Sequence, residues 1–430
     1  MSFPLPAAAR EISPHGIFPG APGSAGGEAR ALSHRQAHPW RVLHACDRYE
    51  SISPVVEAQS ASGMLPSVVT PGGPVMAASP KPAAAQVSLV QTWNSVRRWR
   101  RMLPDSTANC ELLHAHCFAA GMAAVRSFPI VVYEIRQFVE DGQKPSKRSR
   151  SSRTLIGRSF QTAEQFVIAR AAAVVAPTPS LRQELIKRGA AAQHIFVIPR
   201  PMPSSGYGLA AGDAHDEQPL YQQISRLDSP GGSFSMLSSV EVDNWQRWLK
   251  ELVTALHSVS RQIKGLRLYL QADGNCRQEA IKLAAELGPN LQWEVIDRQT
   301  AVRRLPACSL VIAGAAMQPG FTPVENPLAL GALLAADLPC NRDVTPSGSG
   351  CLWFQAENAA DLQRRLLFLA SDPGFCASLG ASGARYVRET RSPLRIAEQY
   401  DAVYRYALRR RRSGKLRTSA VRWQPSQACI

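Results

Sequence analysis

Two ionisable side chains stand directly after a short apolar run, a common place for chemistry in an α/β sheet. Residues 130–133 have the β-branched, apolar character of a buried parallel strand, and Glu134 and Arg136 follow them. Ligands of open α/β sheets bind beyond the carboxyl ends of the strands. Arg136 is therefore predicted to hold an anion or a hydroxyl group, and Glu134 to position a hydroxyl group. The structural alternative is an internal ion pair that orders the loop.

Two histidines precede this strand and alternate at strand spacing. His114 and His116 are two residues apart, so they share one face if the strand is regular. One of them is predicted to reach the strand tip, and the other to be a satisfied core or surface residue. A metal site is not predicted, because no third ligand stands at a recognisable spacing. Glu140 and Asp141 either contribute to the site or cap the next helix.

The charge of the chain excludes some classes of function. The formal net charge is +16, and much of the excess sits in residues 144–158 and 405–417. No zinc finger or other nucleic-acid recognition signature accompanies these runs, so nucleic acid is not a predicted partner. An anionic membrane surface or a diphosphate-bearing substrate fits them better. The alternative for the second run is a solvated helix end that the helix dipole favours.

Cysteine usage and hydropathy indicate the compartment. The nine cysteines are scattered singly, without a C-x-x-C pair, and their number is odd, which argues against a disulfide framework. No apolar run reaches the roughly 18 residues that a spanning helix needs. The N-terminus lacks the continuous apolar region of a signal peptide. We therefore expect a cytoplasmic protein, with peripheral contact to the membrane.

The elements that must position these residues alternate between strand-like and helix-like patterns. This alternation predicts an α/β fold with parallel sheets in two Rossmann-like halves. Ser180 is predicted to cap a helix that ends just before Gly189, between strands at 172–176 and 195–198. One apolar helix is predicted over 327–338, and the final helix of the chain lies within residues 385–412.

The same stretch carries a family resemblance. The sequence VVAPTPSLRQELIKRGAAAQHIFVIPRPMP resembles the segment that closes the N-terminal domain of retaining GT-B glycosyltransferases. The sequence HAHCFAAGMAAVRSFPIVVYEIRQFVED is similar to a branch found in bacterial exopolysaccharide clusters, whose members carry Tyr-Glu-Ile/Val-Arg followed by Glu-Asp. The resemblance spans residues 39–408. It implies the GT-B fold, in which two Rossmann-like domains face each other across a cleft and a C-terminal helix crosses back to the first domain.

The resemblance also implies a division of the chain. The expected parts are a disordered extension (1–38), an acceptor domain (39–203), a linker (204–232), a nucleotide-sugar domain (233–384), a crossing helix (385–412) and a basic tail (413–430).

In the family, donor binding uses a carboxylate for the ribose, cations for the diphosphate and helix N-termini. The family pattern at this site is eroded here: the usual glutamate position holds Ala329 or Ala332, depending on the register. Glu325 is the carboxylate expected to replace it. The expected donor-binding residues are Glu325, Arg247, Thr322, Ser347 and Gly348. The expected acceptor-binding residues are Glu140, Asp141 and His114, and the expected catalytic residues are Glu134, Arg136 and His116.

These residues lead to two hypotheses about function. The first is retaining transfer of a sugar from a nucleotide-sugar donor to a saccharide or lipid-linked acceptor in polysaccharide biosynthesis. It needs neither cofactor nor metal, because protein cations and helix dipoles stabilise the leaving diphosphate. The second is a catalytically impaired homologue that binds a saccharide or a partner protein. The absence of glycine from residues 46–53 and the missing glutamate favour the second hypothesis, and the intact motif around Glu134 opposes it.

Overall fold

The structure is a computed structural model, and the residues that it describes belong to one compact unit, Pro39–Ile430. It describes residues 40–47, 52–71, 89–106, 110–136, 138–139, 150–200, 234–239, 245–272, 276–305, 308–314, 331–345 and 349–412.

The described ranges contain parallel strands that alternate with helices. The strands are β1 (Arg41–Ala45), β2 (Leu65–Val69), β3 (Leu112–Ala115), β4 (Val131–Glu134), β5 (Ala173–Ala176), β6 (Ile195–Val197), β7 (Phe234–Ser239), β8 (Leu266–Gln271), β9 (Leu291–Ile296), β10 (Leu310–Ala313), β11 (Ala332–Ala336) and β12 (Cys351–Phe354). The helices are α1 (Ser53–Ala61), α2 (Leu89–Ser106), α3 (Phe118–Ser127), α4 (Arg150–Arg170), α5 (Pro179–Lys187), α6 (Trp245–Ser260), α7 (Cys276–Ala284), α8 (Arg298–Arg304), α9 (Pro339–Val344), α10 (Ala359–Ser371), α11 (Pro373–Arg391) and α12 (Pro393–Arg412).

The strands form two six-stranded parallel sheets. The first sheet has the order β2-β1-β3-β4-β5-β6, and the second has the order β12-β11-β10-β7-β8-β9. In each sheet the first strand along the chain lies inside the sheet, and the order changes direction beside it. This arrangement is the doubly wound architecture. The predicted α/β class, with parallel sheets in two Rossmann-like halves, is confirmed.

The two faces of the first sheet pack against different parts of the chain. Leu43 and Leu113 belong to a core cluster with residues of α2, α3 and α4. Val42 and Leu112, one position away on the same strands, belong to a cluster with residues of α12. Because strand side chains alternate between faces, each strand is apolar on both sides, as a buried parallel strand must be.

The last helix of the chain lies against the first sheet, as the resemblance implied. Ile396 shares a core cluster with Val132 of β4, and Trp40 Nε1 donates a hydrogen bond of 2.6 Å to Asp401 Oδ1. Arg410 donates to the carbonyl oxygens of Ala171 and Ala172 at 3.2 and 2.8 Å. Part of the basic run is thus used for packing between elements.

The span 385–412, predicted to contain the final helix, holds parts of two helices. Helix α11 ends at Arg391, Ser392 is extended (φ −59°, ψ 145°), and α12 begins at Pro393. The proline ring disfavours the helical conformation of the residue before it, so the chain bends there. It is this second helix, α12, that reaches the first sheet.

The helix predicted over 327–338 is wrong where the structure describes it. Ala332–Ala336 form β11, between β10 and β12. The run is short and apolar on both sides, a pattern that does not separate a buried strand from a buried helix. Ala332 therefore does not stand at the glutamate position of a helix.

The N-cap of α5 also differs from its prediction. Thr178, not Ser180, caps the helix, and its side chain accepts a hydrogen bond of 3.2 Å from Leu181 N. The amide of Ser180 instead donates to Asp343 Oδ2 at 2.8 Å, which links α5 to α9. Gly189 lies beyond the helix end with a φ of 90°, as predicted for its C-terminus.

Among the described helices, none combines the length and the hydropathy needed to cross a bilayer.

Candidate active site

Strand register brings four polar side chains together at the carboxyl end of the first sheet. His44 and His114 are direct partners in the pairing of β1 with β3. His116 stands two residues beyond His114, and Glu134 ends β4, the next strand. The apolar positions below them, Val42 among them, pack against α12. These four side chains therefore form one polar row, the polar rung, at the carboxyl end of a sheet face that is otherwise apolar.

The three histidines are buried and in contact with one another. Each ring has a relative exposure of 7% or less, and the His114 and His116 ring centroids are 4.0 Å apart. His44 Nδ1 and His116 Nε2 share a hydrogen bond of 2.8 Å, and His44 Nε2 lies 2.8 Å from Gln59 Oε1 of α1. These bonds fix the ring of His44 from both sides.

Helix α12 closes the cluster with a tyrosine. Gln59 Nε2 donates a hydrogen bond of 2.8 Å to the hydroxyl oxygen of Tyr404. The same hydroxyl group lies 2.9 Å from His114 Nδ1. Gln59 and Tyr404 thus connect His44 to His114 through buried hydrogen bonds.

Glu134 lies at the centre of the cluster, and its two oxygen atoms have different partners. Arg136 Nε donates to Oε1 at 2.9 Å. Oε2 accepts a hydrogen bond of 2.8 Å from the hydroxyl group of Tyr400. It also faces His116 Nδ1 at 3.1 Å and His114 Nε2 at 3.5 Å. The ion pair of the structural alternative therefore exists, within a larger network.

Burial and charge set the protonation states. Burial lowers the pKa of His44 to about 3, with a further lowering by His116. Burial also lowers the pKa values of His114 and His116. Burial alone would raise the pKa of Glu134, but its contacts with His116 and with the positively charged Arg136 outweigh burial and hold that pKa well below its ordinary value. Arg136 is protonated at any physiological pH, so Glu134 is a carboxylate beside neutral imidazoles.

The structure brings four of the predicted site residues together: Glu134, Arg136, His114 and His116. Arg247 lies elsewhere, in the first turn of α6, exposed and 2.5 Å from Glu357. The other predicted site residues lie outside the described residues: Glu140, Asp141, Thr322, Glu325, Ser347 and Gly348.

Four further residues of this cluster were not predicted: His44, Gln59, Tyr400 and Tyr404. Alternation along β1 carried a usable signal for His44, since a histidine one residue before the strand end matches His114 in β3. Tyr400 and Tyr404 are one helical turn apart and so share a helix face. The sequence argument against a metal assumed that no third ligand was present, yet His44 is that third histidine, and candidate ligand atoms of the three lie within 4.8 Å of one another.

Comparisons with known proteins match part of the chain in sequence and most of it in fold. Residues 26–201 match the family model of a glycosyl transferase 4-like domain. No curated protein matches the chain in sequence.

Three solved structures are similar over 85–86% of this chain. The sucrose-phosphate synthase of Thermosynechococcus elongatus has a TM-score of 0.63 and 16% identity, with 99% of that chain covered. Anabaena HepE in complex with UDP has a TM-score of 0.57 and 14% identity, with 99% of that chain covered. A protein of Listeria monocytogenes provisionally described as a UDP-N-acetylglucosamine 2-epimerase has a TM-score of 0.55 and 13% identity, with 97% of that chain covered. At such identities the likeness shows the fold alone. The three proteins include a synthase and a provisionally described epimerase, so the shared fold does not fix one activity. The chain therefore has the GT-B fold, and its residues 26–201 are similar to a glycosyl transferase 4-like domain.

Proposed function

We propose that the chain is a retaining glycosyltransferase that transfers a sugar from a nucleotide-sugar donor to a saccharide or lipid-linked acceptor in polysaccharide biosynthesis. The observation that carries the proposal is the buried carboxylate of Glu134, with Arg136 bound to it, at the carboxyl end of the first sheet. The match of residues 26–201 to a glycosyl transferase 4-like domain supports it. So does the likeness to Anabaena HepE, whose structures hold UDP and UDP-glucose.

The acceptor side of the proposed reaction uses Arg136, Glu134 and His116. The side chain of Arg136 is 18% exposed, whereas that of Glu134 is 5% exposed, so Arg136 is the member of the pair that a ligand reaches first. Its guanidinium group binds an acceptor hydroxyl or an anionic group of the acceptor. Glu134 fixes the guanidinium group and thereby positions the hydroxyl. Glu140, Asp141 and His114 complete this side of the proposal.

The donor side of the proposal rests on the second sheet. Arg247 lies in the first turn of the helix that follows β7, where the positive helix end and a cation both favour a diphosphate. Glu357 holds Arg247 in the described structure, and a diphosphate would replace that carboxylate. Glu325, Thr322, Ser347 and Gly348 are the other donor contacts that we propose. No metal ion is needed at the diphosphate in this scheme, because cations and helix dipoles oppose its charge.

The setting of the reaction is part of the proposal. We place the protein in the cytoplasm, with peripheral contact to an anionic membrane through its basic runs. A lipid-linked acceptor would be presented at such a surface. The division into an acceptor domain (39–203) and a nucleotide-sugar domain (233–384) belongs to the same proposal.

Binding of nucleoside diphosphates tests the proposal directly. Thermal shift and calorimetry with a panel of nucleoside diphosphates should show that at least one of them binds and raises the melting temperature. The variant Arg247→Ala should weaken this binding by about tenfold or more, because a charge-assisted hydrogen bond is worth about 1.5–3 kcal/mol. The matched control is Arg267→Ala, at a half-buried arginine of β8 that bonds to Gln292. No binding by any nucleotide at millimolar concentration would overturn the enzyme proposal.

A second candidate function is a catalytically impaired homologue that binds a saccharide or a partner protein. Two observations favour it. Every histidine of the cluster is buried, and the family glutamate is absent from either sequence register. In the same calorimetry this candidate predicts binding of oligosaccharides without binding of any nucleotide. Binding of a nucleotide with turnover of its sugar would exclude it.

A further inference from the structure

Two ring nitrogens in the buried cluster make no hydrogen bond of good geometry in the structure. They are His114 Nε2 and His116 Nδ1, both without solvent contact. Both face the same atom, Glu134 Oε2, at 3.5 and 3.1 Å. Buried polar atoms are nearly always paired, so two orphaned nitrogens on one ionised oxygen indicate that a cation belongs between them.

The opposite nitrogen of each ring is held by a hydrogen bond. His114 Nδ1 lies 2.9 Å from the hydroxyl group of Tyr404, and His116 Nε2 lies 2.8 Å from His44 Nδ1. Gln59 in turn holds His44. Metal-binding histidines characteristically bond through their second nitrogen to such outer partners, which fix the tautomer and the ring orientation. The orphaned nitrogens are thus the two that the network leaves for a ligand.

The distances distinguish the atoms that fit a metal from those that do not. Metal–ligand bonds of about 2.0–2.1 Å in tetrahedral geometry place neighbouring ligand atoms about 3.3 Å apart. The separations of Glu134 Oε2 from His116 Nδ1 (3.1 Å) and from His114 Nε2 (3.5 Å) bracket that value. The separation of 2.8 Å between His44 Nδ1 and His116 Nε2 is that of a hydrogen bond, which makes His44 an outer partner.

We propose that Glu134 Oε2, His114 Nε2 and His116 Nδ1 form a binding site for one divalent transition-metal ion. Two neutral imidazoles and one carboxylate in a dry site are a ligand set that zinc accepts. Arg136 occupies the other carboxylate oxygen, Oε1, so Oε2 remains for the metal. Glu134, His114 and His116 also belong to the proposed acceptor side, but binding of a metal is measured without donor or acceptor and can fail or succeed separately from the transfer reaction.

Metal analysis of the full chain, purified without a histidine tag, tests the site. Elemental mass spectrometry should find about one zinc equivalent per chain. After chelation and dialysis, the melting temperature should fall, and added Zn²⁺ should restore it. Added Co²⁺ should give visible d–d absorption bands. Absence of bound metal, together with no change of melting temperature on adding Zn²⁺ and no Co²⁺ bands, would overturn the proposal.

Variants locate the metal if it is found. Glu134→Gln and His116→Gln should each abolish stoichiometric binding, whereas His257→Gln, in α6, should leave it unchanged. Tyr404→Phe removes the hydroxyl group that holds His114 Nδ1, an outer partner, and should weaken Zn²⁺ binding by about 10–100-fold. Equal loss of metal in His257→Gln, or full retention in both cluster variants, would assign the metal to another place on the protein and overturn this site.

Discussion

The hydroxyl group of Tyr400 donates a hydrogen bond of 2.8 Å to Glu134 Oε2, across a sequence separation of 266 residues. This bond joins the last helix of the chain to the last polar rung of the first sheet. It leads to the first prediction. Tyr400→Phe deletes the donor and leaves the buried carboxylate short of a partner, so the free energy of unfolding should fall by about 1–3 kcal/mol. Urea unfolding measures the change.

The control for this substitution is Tyr386→Phe, a half-buried tyrosine of α11 outside the cluster. Its loss of stability should stay within about 0.5 kcal/mol. Equal effects of the two substitutions would mean that the hydroxyl group of Tyr400 contributes nothing specific to the cluster.

A second prediction concerns the pair formed by Arg136 and Glu134. Arg136→Ala should weaken ligand binding by about tenfold, because one charge-assisted hydrogen bond is lost. The protein should still fold, since the Arg136 side chain keeps contact with solvent. Calorimetry gives the affinity, and a thermal melt gives the stability. Arg188→Ala is the matched control, because its pair with Glu184 has the same 2.9 Å length on the outside of α5. A collapse of the melting temperature with Arg136→Ala alone would assign the pair a purely structural role.

A third prediction is loss of stability in mild acid, in the presence of a chelator. The folded-state pKa values of His44, His114 and His116 lie below the ordinary value of 6.5. As the pH falls through that value, the unfolded chain therefore binds more protons than the folded chain. The contribution of these histidines is therefore complete above about pH 6.5 and decreases below it, by up to about 1.4 kcal/mol per pH unit for each histidine. Glu134, whose pKa is also lowered, adds to the same trend at lower pH.

Urea unfolding at several pH values between about 8 and 5 measures this trend. The control His257→Gln should follow the wild-type curve. A free energy of unfolding that stays constant from about pH 7 to pH 5 would contradict this prediction, because it would mean that the histidine pKa values are the same in the folded and the unfolded chain.

A fourth prediction concerns a close approach between β12 and α11. Gly350 has a φ of 88°, and a Cβ atom there would lie 2.2 Å from the Cα of Gly383. Gly189 has nearly the same φ, 90°, but open space around it. Gly189→Ala should therefore lower the free energy of unfolding only by the strain of the left-handed conformation, about 1–2 kcal/mol. Gly350→Ala should lower the free energy of unfolding by more than about 2 kcal/mol in addition to this strain, because the new methyl group would also clash with Gly383. Equal losses of stability in the two variants would show that the close approach of Gly350 to Gly383 does not restrict the side chain at position 350.

The sequence predicted β4, β5 and β6 well, because each is a short apolar run bounded by polar residues or proline. It failed at residues 332–336, where an alanine–leucine run suits a buried strand and a buried helix equally. It also extended the final helix of the chain across Ser392, although proline at position 393 marks the break. At residues 332–336 the local pattern was ambiguous and tertiary packing decided the outcome, whereas at residue 393 the local signal was present.

The candidate site was predictable only in part, for a related reason. Glu134, Arg136 and His116 follow strand ends, and topology places strand ends together. Gln59 and Tyr404 reach the cluster from helices, and whether a helix residue faces a strand tip depends on a packing angle that periodicity does not fix. The orphaned nitrogens depend on side-chain rotamers, which carry no sequence signature.

The position of α12 has a consequence for the order of events during synthesis on the ribosome. Domains fold from the N-terminus as the nascent chain emerges. The strands of the first sheet are translated first, and the two tyrosines that complete its buried polar cluster come only with α12. Until then, an incomplete lobe carries a carboxylate and three imidazoles under an uncovered apolar surface. That lobe is therefore a natural client for a chaperone until α12 has been made.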